Sequence, residues 1–233
     1  MITIKYKKQK VKQKMKPKRT KYIISMSLYG AGKKYLRGAL WNSKNYQIYF
    51  PGWTLRIYCS EDCPIKKDLI DNGCQVIPQQ IIKELGSDYP MLWRFKSLND
   101  TLAKYIIIRD IDSKLNEKDA AATNEWIKSN YDFHIMRDKR AHFAFPILGG
   151  LWGIKGGLIN NIDEIIEDWR GGRQIQYHHE NRTVWDEHFL KDKIWPLIKN
   201  NYLEHSSKAT PFPIQKSKIT CHLCNGRDFS RRG

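Results

Sequence analysis

Two aspartates separated by one residue are the clearest candidates for chemistry in this 233-residue sequence. Asp110 and Asp112 follow the apolar run 105–108 and Arg109. Side chains at positions i and i+2 of an extended backbone point to the same side, so both carboxylates can face one point. Two carboxylates beside Ser113 suit Mn²⁺ or Mg²⁺, which complete their coordination shell with phosphate oxygens and water. An ordinary turn has similar composition, so the prediction depends on the buried strand that precedes the pair.

The apolar pattern along the chain predicts an α/β domain with a mostly parallel sheet covered on both faces, because short, nearly continuous apolar runs alternate with helical segments. The predicted strands are 22–30, 54–61, 74–79, 105–113 and 133–138. The predicted helices are 33–46, a short one after Pro64, 91–100, 116–129 with Asn116 as its cap, 158–169 and 185–199. In such sheets ligands bind outside the carboxyl ends of the strands, where the acid pair is expected.

The charge is concentrated at the start of the chain. Residues 1–21 contain nine lysines, Arg19 and no acid, so they contribute +10 of the formal +17 and leave +7 for the rest. We expect a disordered basic arm over 1–21 that can contact an anionic surface or nucleic acid weakly. Residues 22–207 form the predicted domain, and 208–233 an irregular tail.

Cysteine usage and hydropathy favour a cytoplasmic protein without a membrane span. Five cysteines in a domain of this size are expected to be reduced thiols. Cys221 and Cys224 have the spacing of half a zinc knuckle, but a second pair of ligands is missing nearby.

Six short motifs occur in an order that resembles one enzyme family. They are SMSLYG, WRF, RDIDS, HIMRD, GGLWGIKGG and WDEHFL. Their order over residues 22–207 is similar to that of small GT-A glycosyltransferases, above all those encoded by chlorella viruses and other large DNA viruses. The resemblance implies a single GT-A domain with a mixed, mostly parallel central sheet. It also implies Mn²⁺ or Mg²⁺, a nucleotide-sugar donor that is most often UDP-linked, a glycan acceptor, and hexosyl transfer with a leaning towards retention.

The resemblance also implies roles for individual residues. Asp110 and Asp112 match the D-x-D motif, with Asp112 as the more direct metal ligand and Asp110 nearer the ribose. His205, after the last predicted helix, is a candidate third metal ligand and is also compatible with an ordinary surface histidine. The residues expected to bind the nucleotide sugar are Ser27, Leu28, Tyr29, Arg94, Arg109, Asp110, Gly149 and Gly150. Asp186 and Glu187 match the acidic element near the reacting centre and are the candidate catalytic residues.

Several of these residues also have structural interpretations. Arg94 is compatible with an ordinary surface arginine, and Asp186 with a capping box that begins at Thr183. Glu187 would lie near a helix N-terminus, where a carboxylate is electrostatically favoured. The segment Gly30-x-Gly32-Lys33-Lys34 could cradle phosphate or could form a plain turn before a helix.

Two other functions fit parts of the sequence. A metal-dependent phosphoesterase or nuclease also uses paired carboxylates on a basic surface, although it would normally bring together more Asp, Glu or His ligands. A nucleic-acid-binding protein could use the basic arm as its footprint. Such arms usually interleave aromatic residues with the cations, yet Tyr6 is the only aromatic residue before Tyr22.

Overall fold

The computed structural model describes residues 19–80, 90–137, 140–173, 184–206 and 218–219. The predicted basic arm up to residue 18, the pair Cys221 and Cys224, and the rest of the predicted tail except 218–219 lie outside this part of the chain. Thr183, the predicted first residue of a capping box, also lies outside it.

Eight strands of the described residues form one sheet, in the order β3-β2-β1-β4-β6-β5-β7-β8. They are β1 (Lys21–Leu28), β2 (Thr54–Ser60), β3 (Gln75–Gln79), β4 (Ala103–Arg109), β5 (Phe133–Arg137), β6 (Leu151–Lys155), β7 (Tyr202–Ser206) and β8 (Lys218–Ile219). Strand β6 is antiparallel to both of its neighbours, whereas the other neighbouring pairs are parallel. The predicted mixed, mostly parallel sheet is therefore confirmed.

Helices connect most of these strands. They are α1 (Lys33–Tyr49), α2 (Lys66–Asp71), α3 (Glu117–Lys128), α4 (Ile162–Arg173), α5 (Trp185–Phe189) and α6 (Trp195–Ile198). Two 3₁₀ helices cover Pro90–Asn99 and Arg140–Phe143. A π-helical segment, Leu190–Ile194, joins α5 to α6, so the helix predicted at 185–199 is not regular. Pro196 follows this segment and lacks the N–H group that a regular helix needs at that position.

The sheet is buried on both faces. In β4, Ile106 and Ile108 belong to one apolar cluster, whereas Tyr105 and Ile107 belong to a second. Successive side chains of a strand point to opposite faces, so the two clusters are the two layers that enclose the sheet. This double burial explains why the sequence of β4 is continuously apolar rather than alternating.

Local sequence rules account for the helix that follows the acid pair. Asn116 caps α3, since its side-chain oxygen accepts hydrogen bonds from the backbone N–H groups of Lys118 and Asp119 at 3.0 and 3.1 Å. Trp126 is fully buried against the sheet, as predicted. Within the parts of the chain that the structure describes, no helix has both the length and the apolar character needed to cross a membrane.

Candidate functional site

Asp110 and Asp112 lie at the carboxyl end of β4, at the edge of a cleft of ≈620 Å³. Of the two side chains, Asp110 is 45% exposed and Asp112 12% exposed. The cleft is lined by Ser27, Tyr29, Lys34, Tyr35, Met91, Arg94, Asp110, Ile111, Asp112, Asp186 and Glu187. Residues from five separate parts of the chain therefore meet where an open α/β sheet is expected to bind its ligand.

The antiparallel strand β6 brings two glycines to the same edge. Leu151, its first residue, pairs with Arg109, the last residue of β4, so Gly150 lies beside Asp110. A Cβ atom on Gly150 would overlap the Asp110 carboxyl group, and one on Gly149 would overlap the Asp186 carboxylate. The absence of side chains here lets the backbone lie against both acids.

Arg94 connects the acids of the cleft. Its guanidinium donates through one terminal nitrogen to Asp110 and through the other to Asp186. The side chain is 7% exposed. Although burial opposes its charge, Asp110 and Asp186 raise the pKa of Arg94 above its ordinary value. A buried guanidinium with two carboxylate partners is a fixed positive charge in the cleft, so Arg94 is not an ordinary surface arginine.

The backbone of Arg94 is held by the end of β1. Its N–H donates to Ser27 Oγ at 2.9 Å, and its carbonyl accepts from Ser25 Oγ at 2.6 Å. Both serines are buried in β1. The 3₁₀ helix Pro90–Asn99 is thereby attached to the end of β1, and this attachment fixes where the guanidinium points.

Lys34 makes a salt bridge with Asp112. Helix α1 approaches the aspartates closely, because a Cβ atom on Gly38 would overlap the backbone of Ile111 and Asp112. Asp110 and Asp112 each use one carboxylate oxygen in their ion pairs. Among the described residues the second oxygen of each has no hydrogen-bond partner. The pair therefore offers two hard oxygen ligands to a divalent cation, which fits the predicted metal.

Glu187 is held as a neutral acid. Its Oε1 accepts a long hydrogen bond from the Gly149 N–H at 3.4 Å, and within the described part of the chain its buried Oε2 has no hydrogen-bond partner. Desolvation by burial, and next the neighbouring Asp186, raise the pKa of Glu187 to about 9. Near neutral pH this side chain is therefore a hydrogen-bond donor rather than a base.

Three of the expected nucleotide-sugar-binding residues, Ser27, Leu28 and Tyr29, are consecutive in the chain but differ in position. Ser27 and Tyr29 line the cleft, whereas the side chain of Leu28 is buried in the core. Because its side chain is buried, Leu28 can contact a ligand only through its backbone. The Tyr29 ring meets Trp93 edge to face, with centroids 6.3 Å apart. Sequence reasoning missed Tyr35 and Met91, which also line the cleft and belong to no recognisable motif.

The structure does not bring Arg109 or His205 to the cleft. Arg109 is 2% exposed and forms a bidentate pair with Asp119, at 2.8 and 2.7 Å. His205 is fully buried in β7, where its ring nitrogens contact His134 at 2.9 Å and Glu125 at 3.0 Å. Both ring nitrogens are occupied, so His205 is not available as a third ligand beside Asp112. Among the described residues, no three Asp, Glu, His or Cys side chains are grouped so as to hold a metal ion.

Comparisons with known proteins identify the fold. No family model and no curated protein matches the sequence. An active-site mutant of LgtC is similar in structure, with a TM-score of 0.51 and 12% identity over 79% of this chain and 73% of that one. Residues 1–349 of S. aureus TarS give a TM-score of 0.47 and 13% identity over 82% of this chain and 59% of that one.

Glucosyl-3-phosphoglycerate synthase from M. tuberculosis, in complex with Mn²⁺ and UDP-glucose, gives a TM-score of 0.38 and 11% identity over 58% of this chain and 56% of that one. This chain thus spans less than two thirds of the length of the TarS fragment and of the synthase. The likeness to LgtC shows that the chain has the GT-A fold.

Proposed function

We propose that this chain is a metal-dependent glycosyltransferase that moves a sugar from a nucleotide diphosphate donor to a glycan acceptor. One observation supports this most directly. Asp110 and Asp112 lie at the end of a central strand, in a cleft that Asp186 and Glu187 also line. The buried backbone of Gly149 and Gly150 leaves the space that the Asp186 and Asp110 carboxyl groups occupy. The motif resemblance favours UDP as the nucleotide and a hexosyl group transferred with retention.

Asp110 and Asp112 are the residues that would hold Mn²⁺ or Mg²⁺. The cation would neutralise the charge that develops on the departing diphosphate. Lys34 and Arg94 add positive charge on either side of the aspartates. With two protein carboxylates, the remaining coordination positions suit phosphate oxygens and water.

The donor would extend from the end of β1 towards β6. Ser27 and Tyr29 line the cleft next to β1 and would contact the nucleoside. The motif resemblance assigns the sugar to the side of Gly149 and Gly150, which pack against Asp186 and Asp110. Arg94 would lie between the nucleoside end and the sugar end of the donor, since it contacts Asp110 on one side and Asp186 on the other. Orientation of the donor sugar relative to the acceptor hydroxyl then supplies much of the rate enhancement.

Asp186 and Glu187 have different roles in this proposal. Asp186 accepts a hydrogen bond from the Arg94 guanidinium and fixes its position. The protonated Glu187 donates a hydrogen bond to a substrate hydroxyl, because its raised pKa disfavours the ionised form.

A thermal-shift screen of UDP-, GDP-, CMP- and dTDP-compounds, each with and without Mn²⁺, tests the proposal. A ligand at about 100 times its dissociation constant stabilises a protein by roughly 2.7 kcal/mol. We expect the UDP-compounds with Mn²⁺ to raise the melting temperature, and Asp112→Asn to abolish this metal-dependent response.

Asp71→Asn is the matched control, since Asp71 is an exposed aspartate in a surface pair with Lys67. It should leave the response to UDP and Mn²⁺ unchanged. A chain that binds no nucleotide in the presence of Mn²⁺, or for which both variants lose the response equally, would contradict the proposal.

A further inference from the structure

A second pocket of ≈480 Å³ adjoins the cleft on the side of helix α1. It is lined by Lys33, Lys34, Arg37, Gly38, Trp41, Asp112 and Lys114. The two pockets share Lys34 and Asp112, so the Lys34–Asp112 salt bridge forms the boundary between them. The cleft is lined by four acidic residues and two cations, whereas this second pocket is lined by four cations and one acidic residue, Asp112, which pairs with Lys34.

Three of these cations have no acidic partner among the described residues. Lys33, Arg37 and Lys114 form no ion pair there, and the Lys114 ammonium instead lies 5.6 Å from the centroid of the Trp41 ring. Lys33 and Arg37 of α1 and the distant Lys114 therefore line the same pocket with positive charge that no acid in the described part of the chain compensates. Such an arrangement attracts an anion and focuses its field on the pocket.

Lys33, Lys34 and Arg37 occupy positions that are electrostatically unfavourable for helix α1. The first turn of this 17-residue helix contains Lys33 and Lys34 and no acid, and its N-cap, Gly32, provides no side-chain hydrogen bond. Cations are unfavourable at a helix N-terminus, and like charges at i, i+3 and i, i+4, as between Arg37 and the two lysines, repel each other. Residues that destabilise the helix in which they lie are expected where their side chains bind a ligand.

The pocket also has an aromatic wall. Trp41 is only partly buried, and it follows Arg37 by four residues on the same face of α1. Close packing at Gly38 fixes this face against the backbone of Ile111 and Asp112. An indole beside a cluster of cations can pack on the C–H surface of a sugar while the cations hold an attached anion.

We propose that this pocket binds a phosphorylated sugar unit of the acceptor, with the phosphate on Lys33, Arg37 and Lys114 and the sugar ring on Trp41. The acceptor role rests on the proposed glycosyltransferase function, and it names an acidic, phosphate-bearing glycan as the class of substrate. The donor nucleotide occupies the neighbouring cleft, on the other side of the Lys34–Asp112 salt bridge.

Isothermal titration calorimetry on the full chain tests this proposal with glucose 6-phosphate, glucose and inorganic phosphate as probes. We expect saturable binding of glucose 6-phosphate, weaker binding of inorganic phosphate and no measurable binding of glucose. Lys33→Gln/Arg37→Gln should weaken glucose 6-phosphate binding at least about tenfold, the size expected for loss of charge-assisted hydrogen bonds. Trp41→Leu should weaken glucose 6-phosphate more than inorganic phosphate.

Lys44→Gln/Lys67→Gln is the matched control, because it removes two cations that do not line the pocket. It should change the affinity for glucose 6-phosphate by no more than about twofold, as expected for distant surface charges. An equal loss in the control, or equal affinities for glucose 6-phosphate and inorganic phosphate, would overturn the proposal.

A titration of UDP with Mn²⁺ on the same variants separates this proposal from the function on which it rests. If Lys33→Gln/Arg37→Gln weakened UDP and glucose 6-phosphate by the same factor, the pocket would belong to the donor diphosphate. If the chain bound glucose 6-phosphate but no nucleotide, the proposed function and the acceptor role would both be wrong, and only an anion pocket would remain.

Discussion

Arg94, in the 3₁₀ helix Pro90–Asn99, and Arg109, at the end of β4, show how two buried arginines can have different roles. Both are buried, and both form two bonds to carboxylates. Arg94 faces the cleft because its partners, Asp110 and Asp186, lie there, whereas Arg109 is directed to Asp119 in the core. A buried guanidinium is oriented towards its carboxylate partners, because an unpaired buried charge costs several kcal/mol of free energy.

Sequence reasoning placed Asp110 and Asp112 in a site because a local pattern, an apolar strand followed by D-x-D, was sufficient. It could not separate Arg94 from Arg109, because the partner that decides the role of Arg94 is Asp186, 92 residues away. For the same reason it assigned His205 to the metal, while the contacts with His134 and Glu125 that hold this ring come from distant parts of the chain.

The raised pKa of Glu187 leads to a testable prediction at the residue scale. Its pKa rises from 4.5 to about 9 on folding. Above pH 4.5 the unfolded chain loses a proton that the folded chain retains, so the stability contributed by a neutral Glu187 falls as pH rises. Glu187→Gln should therefore raise the free energy of unfolding at pH 7.5 by about 1–3 kcal/mol.

Urea unfolding of Glu187→Gln and the parent chain at pH 7.5 and pH 4 measures this difference, which should vanish at pH 4. Transferase activity at pH 7.5 should be largely retained, because Gln resembles the protonated acid. A loss of activity of more than about 100-fold would instead indicate a general base.

At the scale of elements, the antiparallel strand β6 is what places glycines beside the aspartates. A strand parallel to β4 would present its last residues at this edge, but β6 presents its first. The residues just before it, Gly149 and Gly150, therefore face Asp110 and Asp186.

Gly150→Ala should displace the Asp110 carboxyl group, because the added methyl group would occupy its position. We expect Mn²⁺-dependent UDP binding to fall by about tenfold or more, by analogy with other misplaced site groups. Calorimetric titration of UDP with Mn²⁺ measures the effect.

Gly171→Ala is the control for this substitution, since an added Cβ atom there meets nothing within 4 Å. It should leave UDP binding unchanged and, inside helix α4, stabilise the chain by up to about 1 kcal/mol. If Gly150→Ala bound UDP as tightly as Gly171→Ala, the close approach of β6 to Asp110 would have no functional importance.

Local chemistry predicted most elements but not their arrangement. The continuous apolar run of β4 and the Asn116 cap of α3 are features of a few adjacent residues, and both are confirmed. The direction of β6 depends on pairing with β4, about 45 residues earlier in the chain. Likewise, the helical spacing at 91–100 does not distinguish an α-helix from the observed 3₁₀ helix.

At the scale of the whole molecule, the far half of the sheet contains a buried polar chain. His134 in β5 contacts His205 in β7, and His205 contacts Glu125 in α3. The His134 ring also stacks on Trp126, with centroids 5.4 Å apart. Burial lowers the pKa of His134 well below 6.5, with a smaller contribution from His205.

The contribution of His134 to stability should therefore fall as the pH decreases below 6.5, whereas the contribution of Glu187 rises over the same range. The unfolded chain gains a proton on His134 in this range and the folded chain does not, which costs up to about 1.4 kcal/mol per pH unit. Urea unfolding of the Glu187→Gln chain between pH 7.5 and pH 5.5 measures the slope without the opposing change at Glu187. His134→Gln, which can still donate a hydrogen bond to His205, should make it shallower, and an unchanged slope would show that other groups determine the acid sensitivity.

The fold class could be predicted from the sequence because double burial of a sheet depends on composition and period, which are visible residue by residue. The buried pair His134 and His205 could not, since neither histidine differs locally from a solvent-exposed one. Packing between β5 and β7 decides their protonation.

The Lys34–Asp112 salt bridge has one more consequence. A ligand on either side of this shared pair must alter the electrostatics that the other ligand experiences. If donor binding changes the affinity for an anion beside α1 by some factor, the anion changes the affinity for the donor by the same factor. The donor nucleotide and the phosphate of the acceptor would then influence each other's binding without direct contact between these two groups.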